Sequence, residues 1–273
     1  MEERVAAHYA REDLATRLLA LLETQGRDPG RLRPEDLVGV EDMHVGGRQA
    51  TERFAGALPL QPGMEILDIG SGLGGAARYL ALAYGCRVTG IDLTASLVAA
   101  ARELSARVGM GDRVRFEEAN ALDLPFPDAT FDGAYSIHVG MNIADKPRFY
   151  GEASRVVKPG GFFALYDVVR LMGDPDYPVP WAEAPETSHL ATPETLERLL
   201  HEAGFEVREL IDRTEEGAAA MAESARRIAD PEAAARASAP VVMGGDFRAK
   251  IANTAAALGE RRLGAFEIHC RRP

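Results

Sequence analysis

The stretch MEILDIGSGLGG at residues 64–75 combines two segments of different chemistry. The first is a short apolar run, typical of a buried strand, and the second is a glycine-rich turn. The turn leads into GAARYLALAYG at residues 75–85, whose small and apolar residues favour a helix. A strand, a glycine turn and a helix in this order form one unit of an α/β fold.

The same alternation continues toward the C-terminus. Further strands are predicted at residues 86–92, 114–120, 131–137 and 161–169, with helices between them. A Pro-rich loop follows at about 171–192, and then a helix, a strand at 205–211, an Ala-rich helical segment at about 214–262 and a last strand at 264–272. Seven strands alternating with helices predict a doubly wound α/β sheet with a helical insertion before its last strand.

The residues before the first strand have a different pattern. Apolar positions at helical spacing predict a long helix over 5–26 and a second helix from about 47 to 58. We therefore predict an N-terminal helical cap over residues 1–61 and a larger domain over 62–273, with insertions at about 171–192 and 214–262.

Composition excludes several classes of protein. The net charge of −11, with no block of Lys or Arg, argues against a nucleic-acid partner. The chain has no apolar run long enough to cross a membrane, and its first residues lack a signal-peptide core, so we expect a cytoplasmic location. Cys86 and Cys270 are expected to be buried reduced thiols, and no metal site is predicted.

The glycine turn fits two kinds of nucleoside cofactor. Gly70, Gly72 and Gly75 satisfy the dinucleotide pattern, and Asp92 after the second strand can bind ribose hydroxyls in either case. Asp68 distinguishes the two, because a carboxylate beside the loop repels a pyrophosphate but attracts an ammonium group. S-adenosylmethionine carries an ammonium group on its amino-acid end, so the residues favour it over NAD(P).

Four blocks of sequence, in order, are ILDIGSGLGG, VTGIDLT, ALDLPFPDATFDGAYS and RVVKPGGFFALYD, spread over about residues 62–170. Together they resemble the class I S-adenosylmethionine-dependent methyltransferases, most closely the ubiquinone/menaquinone C-methyltransferase and glycine/sarcosine/dimethylglycine N-methyltransferase types. The resemblance implies a Rossmann-like sheet with an antiparallel last strand and a small-molecule acceptor. It implies cofactor contacts from Tyr9, Asp68, Gly70, Ser71, Gly72, Gly74, Asp92, Leu93, Asn120, Ala121, Leu122 and Ile137. Asn120 stands where an Asp is usual in the family.

His138 is the candidate catalytic residue, since it follows the fourth strand at the edge where open α/β sheets bind ligands. It is interpreted either as a general base or as a packing residue with no proton role. Met141 and Asn142 on the same loop are expected to line the acceptor pocket.

Three residues from other segments are further candidates for acceptor binding, and each has a structural alternative. His44 lies in a tight segment near the pocket, and Arg48 is interpreted as an anchor for a carboxylate or as a salt-bridge residue. Trp181 is either a pocket wall or a hydrophobic plug. Tyr9 is either a lid over the cofactor or a helix-packing residue.

The function predicted is methyl transfer to an N, O or C nucleophile of a small molecule, with a homodimer possible. The alternatives are an NAD(P)-dependent oxidoreductase on the same sheet and a non-catalytic S-adenosylmethionine-binding protein.

Overall fold

The computed structural model describes residues 2–11 and 13–273. Seven strands form one sheet in the order β3-β2-β1-β4-β5-β7-β6. The strands are β1 (Glu65–Ile69), β2 (Arg87–Asp92), β3 (Val114–Glu118), β4 (Phe131–Ile137), β5 (Val157–Arg170), β6 (Glu206–Asp212) and β7 (Leu263–Arg271). Strands β1 to β5 pair in parallel, whereas β7 is antiparallel to both of its neighbours. The predicted sheet, including its antiparallel last strand, is confirmed.

Helices cover both faces of this sheet and precede it. They are α1 (Glu2–Tyr9), α2 (Leu14–Thr24), α3 (Gly47–Gly56), α4 (Gly75–Tyr84), α5 (Ala95–Arg107), α6 (Lys146–Val156), α7 (Pro193–Glu202), α8 (Thr214–Ala229), α9 (Pro231–Ala235), α10 (Ala239–Met243) and α11 (Phe247–Gly259). The last four form the insertion between β6 and β7. No helix among the described residues is long and apolar enough to span a bilayer.

The sheet has an apolar core on each face because successive side chains of a strand point to opposite sides. On β5, Ala164 and Tyr166 belong to the core packed against α3, α4, α8 and α11, whereas Phe163 and Leu165 belong to the core packed against α6 and α7. A third core joins α2 to α5 and brings the N-terminal helices onto the sheet domain.

The order of the strands determines where a ligand-binding site is expected on the sheet. The order reverses between β1 and β4, and ligands of open α/β sheets bind outside the carboxyl ends of the strands at such a point. The glycine turn follows β1, and His138 follows β4. Both therefore lie at the same edge.

The N-terminal segment differs from the prediction of one long helix over 5–26. The structure has two helices, α1 and α2, separated at Asp13, which adopts left-handed backbone angles (φ 52°). A residue in that conformation cannot continue a right-handed helix. The break lets α1 lie across the cavity described below, while α2 packs against α5.

Candidate active site

A cavity of about 990 Å³ opens at the carboxyl edge of the strands. All but two of the residues predicted for the site line it. They are Tyr9, His44, Asp68, Gly70, Ser71, Gly72, Asp92, Leu93, Asn120, Ala121, Leu122, Ile137, His138, Met141, Asn142 and Trp181. The exceptions are Gly74 and Arg48, whose positions are described below.

The glycine turn requires glycine for two different reasons. Gly70, Gly72 and Gly74 all have positive φ, between 52° and 82°, which other residues adopt at a cost. A Cβ on Gly70 would also lie 2.2 Å from Val139, and one on Gly74 would lie 2.4 Å from Phe116. A Cβ on Gly72 would have nothing within 4 Å, so this residue faces open space and a ligand can approach its backbone. Gly74 is packed against Phe116 and does not line the cavity, so its predicted contact with the cofactor stays a prediction.

Asp92 organises the turn from the end of β2. Its Oδ2 accepts a hydrogen bond from the Gly72 N–H, and its Oδ1 accepts one from the Thr94 N–H, both at 2.9 Å. Each carboxylate oxygen has a further lone pair. Burial raises the pKa of Asp92, and the two N–H donors oppose that rise. The carboxylate can therefore accept hydroxyl groups from the cavity side.

Asp68 at the end of β1 is buried with 3% of its surface exposed, and its Oδ2 has no hydrogen-bond partner within the described chain. Burial raises the pKa of its carboxyl to about 7; the neighbouring Tyr135 hydroxyl works against this rise, and Asp92 adds to it. Tyr135 lies opposite Asp68 on the adjacent strand. An unpaired buried carboxyl is costly, and a cation in the cavity would relieve that cost.

Asn120 lies after β3 at the far end of the cavity. Its Oδ1 accepts a hydrogen bond from the Leu122 N–H at 2.9 Å, and its Nδ2 donates to Glu2 of α1 at 2.8 Å. The amide thus holds the turn that carries Ala121 and Leu122 and connects it to α1.

His138 has a left-handed backbone conformation (φ 57°), and its buried Nε2 has no hydrogen-bond partner in the described part of the chain. Its ring centroid lies 4.9 Å from that of Tyr166 and 5.9 Å from that of His44. Burial lowers the pKa of His138 well below its ordinary value, and His44 lowers it further. The ring is therefore neutral near pH 7 and is a weak base.

His44 faces His138 from the loop before α3. Its Nε2 lies 3.0 Å from the Gly47 carbonyl oxygen and 3.0 Å from the Thr51 hydroxyl. Burial lowers its pKa to about 4, although the Gly47 carbonyl acts in the opposite direction. Two neutral imidazoles consequently stand at one point of the cavity wall.

Helix α1 covers this part of the cavity. The Tyr9 hydroxyl donates to Asn142 Oδ1 at 3.4 Å, and burial raises the pKa of Tyr9 above its ordinary value. His8 Nε2 lies 2.9 Å from the Pro180 carbonyl oxygen, and its Nδ1 lies 3.4 Å from Glu183. The helix thus bridges the loop after β4 and the loop after β5.

Arg48 does not reach the cavity. Its Nε donates to Asp42 at 3.1 Å, its Nη2 donates to Glu41, and its guanidinium lies over the Tyr79 ring. Glu41 also pairs with the buried Arg78 of α4. These contacts favour the salt-bridge interpretation of Arg48 over the carboxylate anchor, because Arg48 pairs with two acids and does not line the cavity.

Trp181 and Met141 are buried residues of the cavity wall. The Trp181 Nε1 donates to Ser188 Oγ at 2.9 Å, which fixes the ring. Met141 lies in the short 3-10 turn Gly140–Asn142, directly after His138 and Val139. Both belong to the core that includes Tyr166.

Three residues that sequence reasoning missed support the His138 loop. The Tyr166 hydroxyl donates to the Val45 carbonyl oxygen at 3.2 Å, which holds the His44 segment against the site. Lys146 Nζ donates to the carbonyl oxygens of Gly140, Ile143 and His189, and Asp167 lies buried beneath Gly140. The sequence does carry a signal for Asp167, because it is the charged residue inside the otherwise apolar strand GFFALYDVV.

No group of acidic, His and Cys side chains suited to a metal ion occurs among residues 2–11 and 13–273.

The comparisons with known proteins agree with this geometry. Residues 67–165 match a family model described as a methyltransferase domain. The O-methyltransferase resE of Aspergillus sclerotiorum is 34% identical over 183 residues, which are 65% of this chain and 68% of that protein. Phosphoethanolamine N-methyltransferase 1 of Zea mays is 33% identical over 192 residues, 70% of this chain but 38% of that protein. The crystal structure of the 4+2 cyclase SpnF aligns with a TM-score of 0.72 at 25% identity, over 100% of this chain and 97% of that one.

Proposed function

The chain belongs to the class I S-adenosylmethionine-dependent methyltransferases, and from that premise we propose how its residues bind the cofactor and methylate a small molecule. The cofactor supplies an electrophilic methyl group on a sulfonium. The observation that carries the proposal is the buried carboxyl group of Asp68, a residue of the cavity wall close to the open backbone of Gly72.

Each end of the cofactor has a partner in the cavity. Asp68 binds the ammonium group of the methionine end, and Asp92 accepts hydrogen bonds from the ribose hydroxyls. The adenine end lies against the segment from Asn120 to Leu122, with Leu93 and Ile137 as further walls. Ser71 is another residue of the cavity wall in this part of the site.

His138 stands on the acceptor side and accepts the proton that an attacking hydroxyl or amine releases. Its ring belongs to the cavity wall and is neutral, so it needs no prior deprotonation. His44, Met141, Asn142 and Trp181 form the wall that positions the acceptor, and Tyr9 covers the methionine end. The main tasks of the protein are to orient the two reactants and to exclude water.

The acceptor atom differs among the relatives, since resE is an O-methyltransferase and the Zea mays protein is a phosphoethanolamine N-methyltransferase. The chain spans about two-fifths of the plant enzyme. We therefore do not assign that enzyme's substrate to this chain.

The test is incubation of the protein with methyl-labelled S-adenosylmethionine and pooled phenols, amines and carboxylates. We expect label in an extractable product together with an equal amount of S-adenosylhomocysteine. Tight cofactor binding with no label transferred to any pool would contradict the proposed catalysis.

A second candidate function is a ring-forming reaction without methyl transfer. It is favoured by the alignment with the cyclase SpnF over this whole chain. Such an enzyme would bind the cofactor but release no S-adenosylhomocysteine, so the labelling assay separates the two functions.

We further propose a cytoplasmic protein with no membrane partner and no nucleic-acid partner. The net charge of −11 supports the last of these. The homodimer stays a prediction that light scattering can test. The boundary between residues 1–61 and 62–273 also stays a prediction, and limited proteolysis can test it.

A further inference from the structure

The insertion between β6 and β7 forms part of the cavity wall. Met221 and Ile228 of α8, Val242 of α10 and Ile251 of α11 are all buried and line the cavity, and Trp181 joins them from the loop after β5. These side chains are entirely or mainly apolar. The wall therefore favours an acceptor with an apolar body.

The cations near this wall are exposed or already bonded. Arg227 and Arg236 line the cavity but are exposed to solvent. Arg11 donates to the carbonyl oxygens of His8, Ala10 and Met243.

The one fully buried lysine of the insertion, Lys250, does not line the cavity. Its Nζ pairs with Glu183 at 2.6 Å and with Asp246 at 3.2 Å. A phosphate or carboxylate held against the apolar wall would thus meet no free buried cation among the described residues. Burial of such an unpaired ion costs several kcal/mol or more.

The polar groups at the reaction point are neutral. His138 and His44 both have pKa values lowered by burial, and Asn142 carries no charge. The hydroxyl of Thr254 is directed to the carbonyl oxygen of Lys250 in its own helix.

A neutral base of low pKa distinguishes between classes of nucleophile. An alkylammonium has no free lone pair, so it must lose its proton before it attacks, and a weak base removes it poorly. A hydroxyl keeps a lone pair while protonated, and it becomes more acidic as its bond to carbon forms. His138 therefore suits a hydroxyl, above all an acidic one.

We propose that the acceptor is an uncharged, mainly apolar molecule that presents a phenolic or enolic hydroxyl to the His138 imidazole. This proposal rests on the proposed methyltransferase function. The new O–C bond forms as the methyl–sulfur bond breaks, the hydroxyl proton passes to the His138 imidazole and then to water, and the cofactor becomes a neutral thioether. A cavity of about 990 Å³ lies at the upper end of the roughly 300–1,000 Å³ typical of single-ligand pockets, which leaves room for this second molecule.

The test uses probes with one apolar body and different charges: 2-naphthol, 6-hydroxy-2-naphthoic acid, 2-naphthyl phosphate and 2-naphthylmethylamine. A second set of larger uncharged phenols and enols includes flavonols and hydroxyanthraquinones. Binding is measured by calorimetry on the full chain saturated with S-adenosylhomocysteine, so that no turnover is required. We expect uncharged phenols or enols to bind about tenfold or more tightly than charged probes of matched size. Equal or tighter binding of the charged probes, or no binding of any uncharged probe, would overturn the proposal.

A variant that adds a positive charge to the apolar wall provides a second test of the proposed acceptor site. Met221→Lys places a cation in the wall and should weaken 2-naphthol binding while it strengthens binding of the carboxylate probe. Met172→Lys is the matched control, because Met172 is 74% exposed and lies outside the cavity. Unchanged selectivity in a folded Met221→Lys protein would contradict the proposed acceptor site. Failure of the wild type to bind S-adenosylhomocysteine at all would instead refute the proposed function.

Discussion

His138 and Tyr166 are joined by two contacts across the β4–β5 edge. The backbone N–H of His138 donates to the Tyr166 carbonyl oxygen at 2.7 Å, and the two rings lie 4.9 Å apart. The first contact holds His138 in its left-handed conformation, and the second limits the orientation of its ring. The side chain with the unpaired Nε2 is thus positioned before any acceptor arrives.

Replacement of His138 tests its role as the proton acceptor. We choose His138→Asn because Asn tolerates the left-handed conformation better than most residues. The kcat for methylation of a phenol should fall about 100-fold or more, whereas the Kd for S-adenosylhomocysteine should change by less than about threefold. His201→Asn, which changes an exposed histidine, is the control and should keep full activity. Unchanged kcat in His138→Asn would assign that ring to packing.

Cofactor binding should depend on pH through Asp68. Because burial raises the pKa of this carboxyl to about 7, much of it is protonated at pH 6 in the free protein. The cofactor ammonium favours the ionised form, so affinity for S-adenosylhomocysteine should rise about tenfold from pH 6 to pH 8.

The same carboxyl acts oppositely on folding. Its folded pKa lies above its unfolded value, so its contribution to stability is present below about pH 4 and is lost as pH rises through 7.

Calorimetric titrations at pH 6, 7 and 8 measure the pH dependence of S-adenosylhomocysteine binding, with Asp68→Asn as the pH-insensitive control. An equal pH dependence in that variant would assign the effect to another group.

The loop that carries His138 should tolerate no side chain at Gly140. A Cβ there would lie 2.1 Å from Oδ2 of the buried Asp167. Gly140→Ala should lower the free energy of unfolding by about 1–3 kcal/mol and reduce kcat. Gly151→Ala in α6 meets nothing within 4 Å and should instead raise stability by about 0.5–1 kcal/mol. Chemical denaturation of both variants makes the comparison; equal stabilities would contradict the proposed close packing.

Arg48 should matter for stability and leave acceptor binding unchanged. Arg48→Met leaves Asp42 without its ion-pair partner and should lower the free energy of unfolding by about 1–2 kcal/mol. Arg107→Met, which breaks an exposed pair with Glu103, should cost less than about 1 kcal/mol. A rise in KM for a carboxylate-bearing acceptor in Arg48→Met, with stability unchanged, would restore the anchor role.

Much of the fold and family was accessible from sequence because the relevant signals are local. The alternation of strands and helices, the glycine turn and Asp68 predicted the sheet and the cofactor, and the family match confirms both. That match also decides against the nicotinamide alternative.

The remaining features depend on residues distant in sequence. Tyr166 donates to Val45, and Asn120 contacts Glu2. Helical periodicity likewise gave no sign of the break at Asp13, since the apolar spacing continues across it. Such contacts are tertiary, and no local pattern encodes them.

Calorimetric titration of the wild type and Asp68→Asn with S-adenosylhomocysteine and with NADH tests whether Asp68 selects the cofactor. Asp112→Asn, which alters an exposed carboxyl, is the control. We predict saturable binding of S-adenosylhomocysteine to the wild type, about tenfold or more weakened in Asp68→Asn, and no saturable binding of NADH. Tighter binding of NADH, or equal affinity of the wild type and Asp68→Asn for S-adenosylhomocysteine, would contradict the account.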